Sequence, residues 1–170
     1  MVLNKAELRE MIEQEGLVED YIDLETQLTP NGFDVTVDKV EEFESRGKID
    51  FSNSEREISE TEAIEPVKED SGDDYGWWDL EPGSYKVRIN ERVDIPNDLV
   101  GIVFPRSSLL RCGAFNHHGV WDAGYEGGIV FILKVENPEG LRIKENARVA
   151  QVVFMGQEEV GKGYEGKFKA

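Results

Sequence analysis

From residue 80 onward the chain is cut at short intervals by glycine and proline, and this punctuation leaves room only for short strands between turns. Leu80-Glu81-Pro82-Gly83 reads as a turn, and Tyr85, Val87 and Ile89 then alternate as a half-buried strand. Val93 and Ile95 mark another short piece before Pro96-Asn97-Asp98. The apolar run at 99–104 stops at Pro105, which has no amide with which to extend a ladder. Two further strands, at 128–135 and 148–154, are separated by the turn Asn137-Pro138-Glu139-Gly140. Short strands joined by such turns predict an all-β barrel or sandwich.

The first 80 residues are less regular. Residues 4–15 predict a short N-terminal helix, with Asn4 as N-cap, an apolar edge of Leu8, Met11 and Ile12, and Gly16 as the stop. Pro30-Asn31-Gly32 is a turn, and residues 33–37 alternate as a strand. Residues 38–79 are dense in charge with scattered apolar positions, and predict short strands around an exposed, partly loop-like acidic insertion. Trp77 and Trp78 then return the chain to the core or to a subunit contact. The expectation is one domain over 1–170, ending in a short flexible tail at 156–170.

Charge divides the chain in two. The first 80 residues carry 24 acidic and 7 basic side chains, whereas the remaining 90 carry 12 of each. The acidic half repels phosphates and argues against nucleic acid as a partner. The neutral half, which holds Arg106, Arg111, Arg142, Lys144 and Arg148, can still receive one compact polyanion. A single cysteine, Cys112, excludes an internal disulfide and any multi-cysteine zinc site. Without a charged-then-apolar leader or an apolar run of membrane length, the chain reads as soluble, cytoplasmic and not membrane-bound.

The chemistry concentrates in residues 105–127, PRSSLLRCGAFNHHGVWDAGYEG. Arg106 with Ser107 and Ser108 offers a guanidinium, hydroxyls and amides to an anion. Asp122 follows bulky Trp121 and precedes two small residues, with Tyr125 three positions on. Gly124 and Gly127 permit positive φ and close approach to the backbone.

This stretch resembles the superfamily of trimeric dUTP pyrophosphatases and dCTP deaminases, and within it the archaeal dUTPase branch. Pro105-Arg106-Ser107-Ser108 matches that family's second motif, P-R-S-[GS]. Asn116, Gly119, Asp122, Tyr125 and Gly127 match the third. Ala147, Ala150 and Gln151 match the fourth, [AG]-x-x-[AG]-Q. Asp34, on its short strand, is the counterpart of the first motif's aspartate or else a plain surface carboxylate. The resemblance implies a distorted jelly roll assembled as a homotrimer, with sites at the subunit interfaces.

It also implies dUTP hydrolysis to dUMP and pyrophosphate. Asp122 would accept a proton from the attacking water, and Arg106 and Ser107 would grip the phosphates. Ser108 reads equally as ligand or turn residue, and Gln151 as a phosphate-positioning amide or a strand-end cap. A Mg²⁺ held mainly by the three phosphates would serve as cofactor, with Asp34 reaching it through water at most. Asn116 and Gly119 in the hairpin would read the uracil, and Tyr125 would pack under the deoxyribose and reject a 2′-hydroxyl. The family's glycine-rich closing motif is short here, GKGYEGKFKA: either Tyr164 or Phe168 would cap the base, or the lid is too short to seal the site. His117 and His118 are expected to be exposed and Cys112 to be packed. Arg111 serves a subunit contact or the site.

The deaminases of the same superfamily use a glutamate ten residues after the third-motif aspartate. That position here is Ile132, and no carboxylate lies between 127 and 135. A zinc deaminase site needs cysteines this chain lacks.

Overall fold

The computed structural model describes residues 1–166. Its elements run α1 (Lys5–Glu15), β1 (Val18–Glu19), α2 (Leu24–Gln27), β2 (Leu28–Thr29), β3 (Gly32–Phe43) and β4 (Thr61–Ile64). They continue with β5 (Trp77–Leu80), β6 (Gly83–Asp94), β7 (Leu99–Pro105), α3 (Ser107–Arg111), β8 (Ala114–His117), β9 (Glu126–Val135), β10 (Leu141–Lys144) and β11 (Arg148–Gly156). Nine strands share one sheet, whose main path is β7-β11-β3-β6-β9-β8; β5 and β10 pair separately. Every named pair is antiparallel. The path curls into a nearly closed barrel-like body, the all-β jelly-roll class expected of the sequence.

The N-terminal helix forms as its ends dictate. Asn4 Oδ1 accepts from the amides of Ala6 and Glu7, and the Glu7 carboxylate accepts in return from the Asn4 amide at 2.8 Å. Gly16 closes the helix at φ 72°, where glycine carries no Cβ penalty. Leu8 and Ile12, one turn apart, face the core.

Two strands run further than their patterns indicate, for a shared reason. β3 continues from the expected 33–37 to Phe43, because both β4 and β6 pair with its second half. A register slip between Val37 and Lys39 lets it bend there, which hides the alternation in the sequence. β6 joins the two expected pieces into one twelve-residue strand, with a register slip against β9 between Arg88 and Arg92. Along it Tyr85, Val87, Ile89, Glu91 and Val93 all face inward. Between β3 and β4 the acidic segment forms an exposed arm, closed by a bridge between Lys48 and Glu57, with Ile49 and Phe51 in solvent. Trp78 is buried, its Nε1 donating to the Ile64 carbonyl at 2.7 Å. Cys112 is exposed at the end of α3, not packed, because the helix ends there by turning its last residues outward. Among the described residues no helix is long and apolar enough to cross a membrane.

Candidate active site

The adjacency of β7, β11 and β3 brings together residues far apart in sequence. Gln151 lies opposite both Phe104 and Asp34, and Ala150 lies opposite Pro105. Pro105 ends β7, and Arg106 becomes the N-cap residue of α3 with extended backbone and no side-chain cap bond. Its guanidinium is thereby left to work elsewhere. Arg106 Nε donates to Asp34 Oδ2 at 3.0 Å, and Nη1 donates to the Arg148 carbonyl at 3.2 Å. Arg148 Nη1 reaches the same Asp34 Oδ2 at 3.2 Å and the Thr26 carbonyl at 2.8 Å.

Asp34 is therefore no surface carboxylate. It is 2% exposed, beneath two arginines that each keep about a third of the side chain in solvent. Burial pushes its pKa above the ordinary carboxylate value, against the downward pull of Arg106 and then Arg148. Two guanidinium groups share one buried carboxyl at the rim of the sheet, and Asp23 lies beside them. Both arginines line one cavity of about 430 Å³ with Thr26, Tyr75 and Asn146. Ser107 and Ser108 are exposed in the first turn of α3, and Gln151 Nε2 donates to Thr29 Oγ1 at 2.6 Å.

A second group gathers at the loop between β8 and β9. Tyr125 donates its hydroxyl to the Gly128 carbonyl at 2.7 Å, and its ring meets Tyr164 edge-on at 5.2 Å. Gly119, Trp121, Tyr125, Ile129 and Tyr164 line a cavity of about 280 Å³. Asp122 stands exposed beside it, on an adjoining cavity shared with Val100, Lys162 and Tyr164. The Asp122 carbonyl accepts from the Tyr125 amide, and Gly124 sits at φ 74°. The tail is held along this loop. Val160 donates its amide to the Asn97 carbonyl at 3.0 Å, and Tyr164 donates to the Ala123 carbonyl at 2.7 Å. Phe168 lies outside the described residues.

Asn116 is buried on β8. Its Nδ2 donates to the Val149 carbonyl at 3.1 Å, while Oδ1 has no partner among the described residues. His117 is exposed, but His118 is not: its ring stacks on Phe131 at 4.3 Å with neither nitrogen bonded among the described residues. Burial, and then the neighbouring His117, lower its pKa to about 4. Ile132 is exposed on the outer face of β9, opposite His117.

The two groups stand at opposite ends of β7. Trp121 bridges Gly101, and Asp122 continues away from the Pro105 end. The five steps from Gly101 to Arg106 span roughly 17 Å of extended chain. The sequence pattern counts Arg148 among the basic residues of the neutral half but assigns it no place. It sits inside the fourth motif between Ala147 and Ala150, and that position was the available signal.

The fold is an antiparallel jelly roll with two arginines paired on a buried carboxylate at one end of β7 and an aromatic-lined cavity at the other. A family model described as dCTP deaminase-like matches residues 2–156, and the chain belongs to that family. It is 44% identical over 168 residues to the probable deoxyuridine 5'-triphosphate nucleotidohydrolase of Archaeoglobus fulgidus, covering 99% of this chain and 95% of that one. It is 37% identical over 151 residues to the deoxyuridine 5'-triphosphate nucleotidohydrolase of Methanocaldococcus jannaschii, covering 85% and 88%. Its fold is similar to that of the 2'-deoxycytidine 5'-triphosphate deaminase of Agrobacterium tumefaciens, with a TM-score of 0.61 at 17% identity. That match covers 90% of this chain but 47% of the deaminase.

Proposed function

We propose that this chain hydrolyses dUTP to dUMP and pyrophosphate. The observation that carries the choice within the family is position 132. Where the family's deaminases need a proton-transferring glutamate, this chain has an isoleucine facing outward from β9. The archaeal relatives named as deoxyuridine triphosphate nucleotidohydrolases support the same reading.

The site is built from more than one copy of the chain. Asp122 and Arg106 of one chain lie at opposite ends of β7, which favours a substrate held between subunits. A homotrimer brings the loop of one subunit to the arginines of the next. The exposed apolar residues Phe104, Leu110, Val120, Val130 and Ile132 supply surface for such an assembly.

In this arrangement Arg106 and Arg148 hold the phosphates, with Ser107 and Ser108 offering hydroxyls and amides from α3. Gln151 orients a phosphate oxygen or the water. Tyr125 and Tyr164 enclose the nucleoside, Gly119 lets the base approach the backbone, and Asn116 offers its unpaired Oδ1. Asp122 takes the proton as the water oxygen attacks the α-phosphorus, and the bond from that phosphorus to the bridging oxygen breaks, releasing pyrophosphate. No group of three or more His, Cys, Asp or Glu among the described residues is placed to hold a metal, and Asp34 Oδ2 is shared by two arginines. A Mg²⁺ arriving on the triphosphate would supply Lewis acidity and charge neutralisation there. Pyrophosphate release measured with dUTP, dCTP and UTP, with and without Mg²⁺, tests the reading. Release from dUTP alone is expected; dUTP appearing from dCTP would overturn it.

A further inference from the structure

Glu91 is a carboxylate where the strand pattern calls for an apolar side chain. It follows Tyr85, Val87 and Ile89 in the inward phase of β6 and is 0% exposed. An isoleucine would fill such a position without placing a charge in the core. Among the described residues no lysine or arginine bonds to it. Three donors do: Gln27 Nε2 and Thr36 Oγ1, both at 2.6 Å to Oε1, and the Thr36 amide at 3.0 Å to Oε2. Gln27 Nε2 and the Thr36 amide can only donate, and they address both carboxylate oxygens, while burial raises the pKa.

What the carboxylate ties together is specific. Gln27 is itself buried, and its Nε2 also donates to the Asp34 carbonyl at 2.9 Å. Its Oε1 accepts from the amides of Ile22 and Asp23, which fixes the turn into α2. The carbonyl that receives Arg148 belongs to Thr26, in that same segment. On the other side, Thr36 Oγ1 accepts from Asn90 Nδ2, which also donates to Asn146 Oδ1, two residues before Arg148. Glu91 thus bonds both segments that orient the arginines without touching either arginine.

We propose that Glu91 is a positioning residue for the phosphate grip, acting through Gln27 and Thr36 on Asp34, Arg106 and Arg148. The inference rests on the proposed function for the identity of the ligand, though not for the existence of the grip. A merely structural role would lower stability and leave the two ends of the substrate equally well bound. A positioning role weakens the phosphate end alone.

The test is to compare Glu91→Gln with wild type for binding of the α,β-imido analogue of dUTP and of dUMP, with the fold checked by circular dichroism. The inference expects a roughly tenfold loss for the analogue, the scale for removing a member of a connected network, and less than about twofold for dUMP. Parallel losses, or none, overturn it. Should Glu91→Gln fail to fold, Thr36→Val, which removes one donor and keeps the amide, carries the same comparison with a loss of roughly threefold. If wild type does not bind the analogue, the proposed function fails, and inorganic tripolyphosphate becomes the probe. Weaker tripolyphosphate binding in the variant still supports the positioning role; equal binding, or none to wild type, ends it.

Discussion

The two ends of β7 hold their functional groups by different means. At the Pro105 end the charged groups stand on strands or directly at a strand end and are cross-linked: one buried carboxylate bonds two guanidinium groups, and the carbonyls of Thr26 and Arg148 each receive one further donor. At the Gly101 end the groups stand on a loop, and backbone bonds and glycine contacts hold them. A rigid sheet can fix the direction of a guanidinium before any ligand arrives, because moving it would break several bonds at once. A loop held by backbone contacts can yield to admit a ring and close again. We therefore expect the Pro105 end to be preorganised and the Gly101 end to be the more adjustable.

The comparison breaks most visibly at Asp122, the one loop residue assigned to the chemistry. Asp122→Asn keeps the shape and removes the proton acceptor. We expect kcat to fall by roughly 10²–10⁴-fold with little change in affinity for the imido analogue, measured by steady-state pyrophosphate release and by titration. Equal loss of affinity would place Asp122 in binding instead. The grip end responds differently. Arg148→Ala leaves Asp34 buried with one cation in place of two, and we expect a loss of up to about 3 kcal/mol in urea unfolding. Adding Asp34→Asn removes the uncompensated carboxylate and should recover part of that loss. A double-mutant cycle without coupling would show that the two do not act as a unit.

Legibility follows the same division. The motif residues Arg106, Asp122, Tyr125 and Gln151 can be recognised in sequence, as can the strands at β7, β9 and β11, because each is a short apolar run cut off by proline or glycine. The burial of Asp34 cannot. It depends on β11 and β3 being neighbours, a long-range pairing invisible in the FDVTV segment itself. Glu91 was legible in principle, as a charge in the apolar phase of an otherwise regular strand. His118 was misjudged as exposed because nothing in His117-His118 says which ring turns toward Phe131. That choice belongs to the pairing of β8 with β9, which turns His117 outward opposite Ile132.

The adjustable end can be probed through its closest contact. A Cβ on Gly163 would stand 2.6 Å from Asn97 Oδ1 and 2.8 Å from the Gly124 Cα. Gly163→Ala must therefore lift the tail, and with it the Tyr164 ring, from Tyr125. We expect KM for dUTP to rise by several-fold, about 1 kcal/mol, with thermal stability nearly unchanged, since the tail adds little to the core. A matching fall in the unfolding midpoint would mean the tail is part of the fold and not an adjustable cover.

A pH-dependent effect lies at the root of the same loop. His118 is neutral in the folded chain, with its pKa lowered to about 4 from the ordinary 6.5 by burial against Phe131 and by His117. Between those two values the unfolded chain binds a proton there that the folded chain does not. Stability contributed by this group is therefore complete above pH 6.5, falls as pH drops below it, and stops falling near pH 4. The slope cannot exceed about 1.4 kcal/mol per pH unit for one proton. His118→Phe removes the titration while keeping an aromatic against Phe131. Urea unfolding of both proteins from pH 7.5 to 4.5 should show the difference in stability between them growing in favour of the variant as pH falls. A constant difference would mean that His118 protonates freely, and that the loop opens enough at its root to let water reach the ring.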